Sequence, residues 1–337
     1  MSRPCIGVVG LCCLGLIAAQ ARAETQAAPC AEESALSEAA AELLLADQAP
    51  SDAALAQAVR RAGSDAVMVR ALFTRGPSDA RAASFIADVR ERTDAPLACG
   101  TAQSERAQLL LVTPRAGTLA PIEQRAIARV RGGITKGFSS PKLVVVDGDG
   151  ALQNIDTTPK ELAHGVELDP EWPRPLRVQL IAKGPAGPRP VAERVIGAPR
   201  ELTHDLPSDL SPEQQLTVAR GDVGAHSLRV HTLLTEVAME HAAHVCAQGK
   251  IAHELEPGAD PEQRLHARGI SARRVGETIA RERSAGGALV RMLESPAHRL
   301  TLLEPGFTDV GLGEARDDRG RVCLVVLLAA WPRFTGR

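Results

Sequence analysis

The residues able to do chemistry in this chain are few. Nine histidines stand among 337 residues, against 41 carboxylates and 39 Lys and Arg. Histidines and carboxylates are the groups from which a polar cavity could be built. Two imidazoles and a carboxylate can ligate a divalent metal such as zinc, act as general acid and base near neutral pH, or bond to one another and to the backbone. Spacing alone does not choose between these roles.

Other local patterns are easier to exclude. His253-Glu254 begins like H-E-x-x-H, but Pro257 stands where the second histidine belongs, so a zincin helix is ruled out. His241 and His244 are three apart on one helix, a spacing that suits a metal pair or simply a half-exposed helix edge. Gly311-Leu312-Gly313 lacks the third glycine of a nucleotide fingerprint and reads as a strand end. Ser295 is three residues before His298, which fits a helix cap or turn better than a nucleophile and its base. Asp147-Gly148-Asp149-Gly150 is hairpin-turn chemistry, without the further ligands of a calcium loop.

The elements that would position these groups follow from periodicity. Ser34–Asp47 is rich in Ala, Leu and Glu and reads as a helix. Ser51 and Ser64 are each placed to cap a further short helix, and Ser78-Asp79 opens one in which Ala82, Phe85, Ile86 and Val89 share a face. Residues 24–95 are therefore expected to be a helical N-terminal region. Residues 96–198 read as β-rich, with strands at Leu109–Val112, Leu143–Val146, Leu176–Ile181 and Val191–Ile196. The Pro-rich, polar stretch 199–207 is expected to be a linker. From residue 208 to 337 helical periodicity returns, followed by a hairpin around Asp317-Asp318-Arg319-Gly320. Helices first and a hairpin last give an α+β fold class.

Composition bounds the partners and the compartment. Positive and negative charge nearly cancel, leaving a formal net charge of −2. That argues against a nucleic-acid surface, which needs concentrated Lys and Arg. Arg3, an apolar stretch from Pro4 to Gln20 and the A-x-A end at Ala21-Arg22-Ala23 form the pattern of a signal peptide, residues 1–23. The apolar stretch is shorter than the roughly 20 residues of a membrane span. The expectation is an exported protein, secreted or periplasmic, without a membrane span after cleavage. Cys30, Cys99, Cys246 and Cys323 would remain, an even number that implies disulfides with three connectivities, and none forms a C-x-x-C pair.

Four motifs between Leu216 and Trp331 carry a resemblance. Leu234–Ala242 (L-T-E-V-A-M-E-H-A) is similar to a helix ending A-x-x-H-A/S. Gly249–His253 (G-K-I-A-H) is similar to g-x-f-S-H, and Gly276–Ala280 (G-E-T-I-A) to G-E-N-I-A. Ser295–Gly313 (S-P-A-H-R-L-T-L-L-E-P-G-F-T-D-V-G-L-G) is similar to S-P-G-H-R-x-N-I-L-N-P-x-F-T-x-I-G-V-G. In this order they resemble the CAP superfamily of cysteine-rich secretory, antigen 5 and pathogenesis-related proteins, in its bacterial branch.

The resemblance implies an α-β-α sandwich from residue 208 onward and brings His253, Glu277 and His298 to one cleft. It places Ser295 where many members carry a second glutamate. Glu294 is one position off, a turn of about 100° around a helix. Thr278 and Thr301 replace two family asparagines. The family fold packs the helix end at Cys246 against the hairpin at Cys323, and the expected disulfides are Cys30–Cys99 and Cys246–Cys323. The function expected is binding of a small molecule, a lipid or a divalent metal in the cleft, with zinc as the candidate cofactor and His253 and His298 as its ligands. The alternative is an extracellular metal-assisted hydrolase using the same cleft, and no catalytic residue is assigned. The N-terminal region is expected to contact a protein or another envelope component.

Overall fold

Three four-stranded β-sheets, with two two-stranded ribbons beside them, organise the described residues. The computed structural model describes residues 30–122, 127–197 and 210–331. The expected signal peptide, the linker at 199–207 and the first residues after it lie outside these.

The first sheet belongs to β1 (Ala31–Glu32), α1 (Ser34–Leu44), α2 (Asp52–Arg61), β2 (Arg70–Arg75), α3 (Asp79–Glu91), β3 (Leu97–Gln103) and β4 (Ala107–Pro114). Its strand order is β1-β3-β4-β2. Leu109 and Leu111 of β4 pack on α1 and α2, while Leu110 and Val112 face Ile86 and Val89 of α3. This is the period-two alternation of a strand buried on both faces. Ser51 and Ser78 cap α2 and α3 as expected. Ser64 does not open a helix. Its hydroxyl donates to Glu33 (2.8 Å), in a cluster where Arg115 also bonds Glu33 and Asp65. The region expected to be helical to residue 95 is therefore mixed, and a boundary at 95/96 would cut through one sheet. β2 carries the apolar run Ala71-Leu72-Phe73, too short to declare itself against flanking helices.

The second unit contains β5 (Gly117–Leu119), β6 (Arg129–Val130), β7 (Gly132–Ile134), β8 (Ser139–Val146), β9 (Leu152–Asp156), α4 (Pro159–His164), β10 (Val166–Glu167), β11 (Leu176–Gly184) and β12 (Gly187–Ile196). Its main sheet runs β12-β11-β8-β9, antiparallel throughout. Asp147 Oδ1 closes the β8–β9 turn by accepting from the amides of Asp149 (3.0 Å) and Ala151 (2.9 Å), so this acid is a turn-former.

The C-terminal unit contains α5 (Pro212–Asp222), β13 (Arg229–Val230), α6 (Thr232–Gln248), α7 (Pro261–Ala267), β14 (Arg274–Glu282), α8 (Ala285–Glu294), α9 (Pro296–Leu303), β15 (Asp309–Arg316) and β16 (Val322–Ala330). The sheet order is β13-β15-β16-β14. β16 is buried along its whole length and alternates between two cores. Val325, Leu327 and Ala329 pack with Leu234, Ala238 and Val245 of α6. Leu324, Val326 and Leu328 pack with Leu216 of α5, Leu289 and Met292 of α8 and Leu302 of α9. The result is three layers, helix on sheet on helices. Gly311 and Gly313 lie inside β15 rather than at its end. A Cβ on Gly311 would sit 2.1 Å from the Leu234 carbonyl carbon, and one on Gly313 2.1 Å from that of Ala238. These glycines let the backbone of α6 lie directly on the sheet.

Both expected disulfides are formed, Cys30–Cys99 joining β1 to β3 and Cys246–Cys323 joining α6 to β16. In the chain-entropy picture a closed loop of this size stabilises by roughly 4 kcal/mol.

Candidate functional site

Glu277 is the centre of the polar site and is itself sealed. It lies in β14, directly opposite Leu327 of β16, and its side chain is 1% exposed. Oε1 accepts from His253 Nδ1 at 2.9 Å, and His241 Nε2 is 3.8 Å from the same oxygen. Oε2 is bonded by the guanidinium of Arg264. Burial alone would raise the carboxyl pKa, but the His253 hydrogen bond, with the charges of His253, Arg264 and His241, holds it below its ordinary value. Glu277 is thus the anionic hub of a buried network and does not face solvent.

Arg264, absent from the sequence-level site, completes this hub. The Asp260 capping box sets α7, and one turn later Arg264 Nη1 donates to the carbonyls of His253 and Ala259, both at 2.7 Å. The loop bearing His253 is therefore held at its ring and at its carbonyl. A helix-start signal was legible at Asp260-Pro261, but nothing in sequence pointed Arg264 inward.

His241 and His244 do not act as a pair. His241 is buried, with Nε2 2.9 Å from the Ala252 carbonyl, and desolvation lowers its pKa, while His244 is exposed.

His298 sits on α9, a two-turn helix pinned at both ends. At its N-terminus the Ser295 hydroxyl does not cap its own helix. Instead Gln179 of β11 provides the acceptor, taking hydrogen bonds from the Ala297 amide (3.0 Å) and the Ser295 hydroxyl (3.2 Å). Gln179 Nε2 and Arg177 Nε are held by the two oxygens of Glu193, each at 2.9 Å, and Arg177 Nη1 donates to the Glu294 carbonyl (2.5 Å). At the other end the fully buried Arg220 donates to the carbonyls of Leu302 (2.7 Å) and Glu304 (3.1 Å). Glu294 turns its own carboxylate to Arg291 (2.9 Å). The two replacement threonines stay internal, Thr278 Oγ1 donating to Met292 Sδ and Thr301 Oγ1 to the Ala297 carbonyl.

The cleft implied by the resemblance is roofed. The tip of the β11–β12 hairpin closes on the His253 loop, with the Ala186 carbonyl accepting from the His253 amide (3.0 Å) and the Glu254 amide (3.4 Å). Gly187 has φ +93°, and a Cβ there would stand 2.9 Å from the His253 Cβ. His253, His298, Gln179, Ser295 and Arg189 share the wall of a cavity of about 1180 Å³ that reaches between the β-rich unit, the first sheet and the C-terminal unit. His298 is partly exposed to this cavity but set deep within protein. Desolvation, reinforced by the nearby His253 charge, lowers its pKa to about 4.

Zinc does not fit this donor set. Both Glu277 oxygens and one His253 nitrogen are engaged, and among the described residues no group of three or more His, Cys, Asp or Glu is arranged to hold a metal ion. Two imidazoles fall short of the three or four protein ligands of a zinc site. Among the described residues no helix is long and apolar enough to cross a membrane.

Comparison with known proteins finds one family match and several similar solved structures. An outer surface protein of Borrelia burgdorferi is 22% identical, covering 36% of this chain and 90% of its own, with a TM-score of 0.34. An extracellular SCP-domain protein of Bacillus anthracis is 16% identical, covering 64% and 86%, with a TM-score of 0.33. A cysteine-rich secretory protein of Staphylococcus aureus is 9% identical, covering 64% and 83%, with a TM-score of 0.28. No curated protein matches the chain significantly. Assignment therefore rests on the sequence model of the cysteine-rich secretory protein family, CAP, which matches residues 215–328. That span holds all four motifs, both faces of the three-layer unit and the Glu277 hub, and the C-terminal part of this chain is a CAP domain.

Proposed function

We propose that this is an exported binding protein whose CAP cleft and β-rich roof together enclose a small organic ligand bearing an acidic or hydrogen-bond-accepting group. The observation that carries this reading is the unfilled donor capacity in the cavity wall. Arg189 of the roof stacks over Phe138 at 4.9 Å, and its buried Nε and Nη2 have no hydrogen-bond partner. Buried donors of this kind are costly unless something accepts from them. On the same cavity wall, the Nδ1 bond to Glu277 leaves Nε2 as the ring nitrogen of His253 that can meet a hydroxyl or acid group of the ligand. Two disulfides and the signal-like N-terminus support export.

The test is a fluorescence titration of the mature chain with the anionic probe anilinonaphthalene sulfonate, competed with palmitate. Saturable one-to-one binding displaced by palmitate is expected. Ile251, 40% exposed on the cavity wall, provides the control. Ile251→Glu places a carboxylate beside the ligand and should weaken probe binding by at least about tenfold, near 1.4 kcal/mol. Unsaturable binding, or the same affinity in both proteins, would remove the reading.

A hydrolytic alternative draws on one feature, the carboxylate–imidazole pair of Glu277 and His253, which orients a ring nitrogen as a general base requires. Turnover of nitrophenyl esters that disappears in His253→Ala would favour it. No turnover above a His253→Ala control would dismiss it.

A further inference from the structure

A second feature of the molecule does not involve the histidine side chains themselves. Where α3, the C-terminal end of α6 and the β15–β16 turn meet, five arginines gather from three parts of the chain. Arg70 and Arg92 come from the first sheet and α3, Arg281 from β14, and Arg319 and Arg321 from the turn. Arg92, Arg281, Arg319 and Arg321 wall a pocket of about 390 Å³ on one side and the large cavity on the other.

The chain supplies too little negative charge for this group. Asp88 serves both Arg70 (3.7 Å) and Arg92 (3.0 Å to Nε). Asp317 serves both Arg321 (3.1 Å) and Arg281 (3.8 Å). The Gly249 carbonyl, at the negative end of the α6 dipole, accepts from Arg92 (3.2 Å) and Arg281 (3.4 Å). Arg316 and Asp318 also line the smaller pocket, and Arg316 Nη1 donates to the Gly320 carbonyl (3.1 Å). Three carboxylates, Asp88, Asp317 and Asp318, thus stand among six guanidiniums, those of Arg70, Arg92, Arg281, Arg316, Arg319 and Arg321. Arg281, only 6% exposed, has its pKa lowered to about 10, first by desolvation and then by the charges of Arg321 and Arg70. A multiply charged oxyanion would relieve that repulsion, and the planar donor forks of arginine match its geometry.

We infer that this arginine-walled pocket binds a phosphate group. It uses none of the donors invoked for the histidine cavity, although the same arginines also line that cavity. Arg319 is exposed and Arg321 half-exposed on the turn, so the group can be either a free phosphoryl compound or the headgroup of an anionic lipid.

The experiment uses the full mature chain at low salt, titrated calorimetrically with sodium phosphate and, at matched ionic strength, with sodium chloride. Phosphate should bind saturably and chloride should not. The Arg319→Ser/Arg321→Ser double variant, altered only at the turn, should lose at least about tenfold in phosphate affinity with an unchanged near-ultraviolet spectrum. His253→Ala should bind phosphate as the wild type does. Sedimentation with phosphatidylglycerol vesicles but not phosphatidylcholine vesicles, lost in the double variant, would assign the phosphate to a lipid. Phosphate binding without sedimentation would assign it to a soluble compound. Equal responses to phosphate and chloride, equal phosphate affinity in wild type and double variant, or loss of phosphate binding in His253→Ala would each overturn the inference.

Discussion

His298 should make the CAP domain sensitive to acid over a defined window. Its imidazole has a folded pKa of about 4, against an ordinary value of 6.5. Between these values the unfolded chain binds a proton that the folded chain refuses. Stability contributed by the neutral ring is therefore complete above about pH 7 and is lost as pH falls from 6.5 toward 4. Lowering the pH from 7.5 to 5.0 covers most of an interval worth about 1.4 kcal/mol per unit, so the loss from this residue alone should be about 2 kcal/mol. His241, also lowered by burial, acts in the same direction, and Glu277, held low, contributes only at more acid pH. The assay is urea unfolding at both pH values, followed through Trp331, whose indole bonds Asp309 (2.8 Å) in the CAP sheet. His298→Asn removes the titration, so the difference between wild type and variant isolates it. NMR titration of the His298 ring should give an acid midpoint directly. An equal pH dependence in the two proteins, or a ring that titrates near 6.5, would refute the argument that this side chain is desolvated beneath the roof.

Four further outcomes follow from the packing. Gly311→Ala should destabilise by about 2 kcal/mol or more, or yield insoluble protein, because its Cβ meets the α6 backbone; thermal unfolding measures it. Glu277→Ala should cost about 3 kcal/mol in urea unfolding at pH 7.5, since it leaves Arg264 buried without its anion. Reducing Cys246–Cys323 should lower stability by roughly 4 kcal/mol, with protease nicking near the end of α6 as the readout. Residues 208–337 expressed alone in an oxidising compartment should fold, because both CAP cores and their disulfide lie within that span, yet α9 should exchange its amides faster without Gln179; a molten product would show that the β-rich unit is part of its core.

What the sequence determined by itself was the local and the repetitive. Ser51 and Ser78 announced α2 and α3 because a cap needs only a side-chain oxygen within three residues of its target. Leu143–Val146 and Asp147–Gly150 announced a strand and its turn for the same reason of short range. The four ordered motifs placed a CAP fold, and through that resemblance the pairing of His253 with Glu277. Only the tertiary structure decided what is brought together from a distance. Ser64 looked like a cap but met Glu33 and the Arg115 cluster instead, and β2 joined its sheet by pairing with β4, which lies on the far side of α3 in the chain. Arg264, Gln179 and Arg220 carry no local signature, because an arginine or glutamine on a helix or strand reads as surface until a partner is fixed opposite it. The roof over the cleft was equally hidden. The Ala186 carbonyl and the His253 amide are ordinary backbone groups, and only long-range packing turns their meeting into the wall of a site.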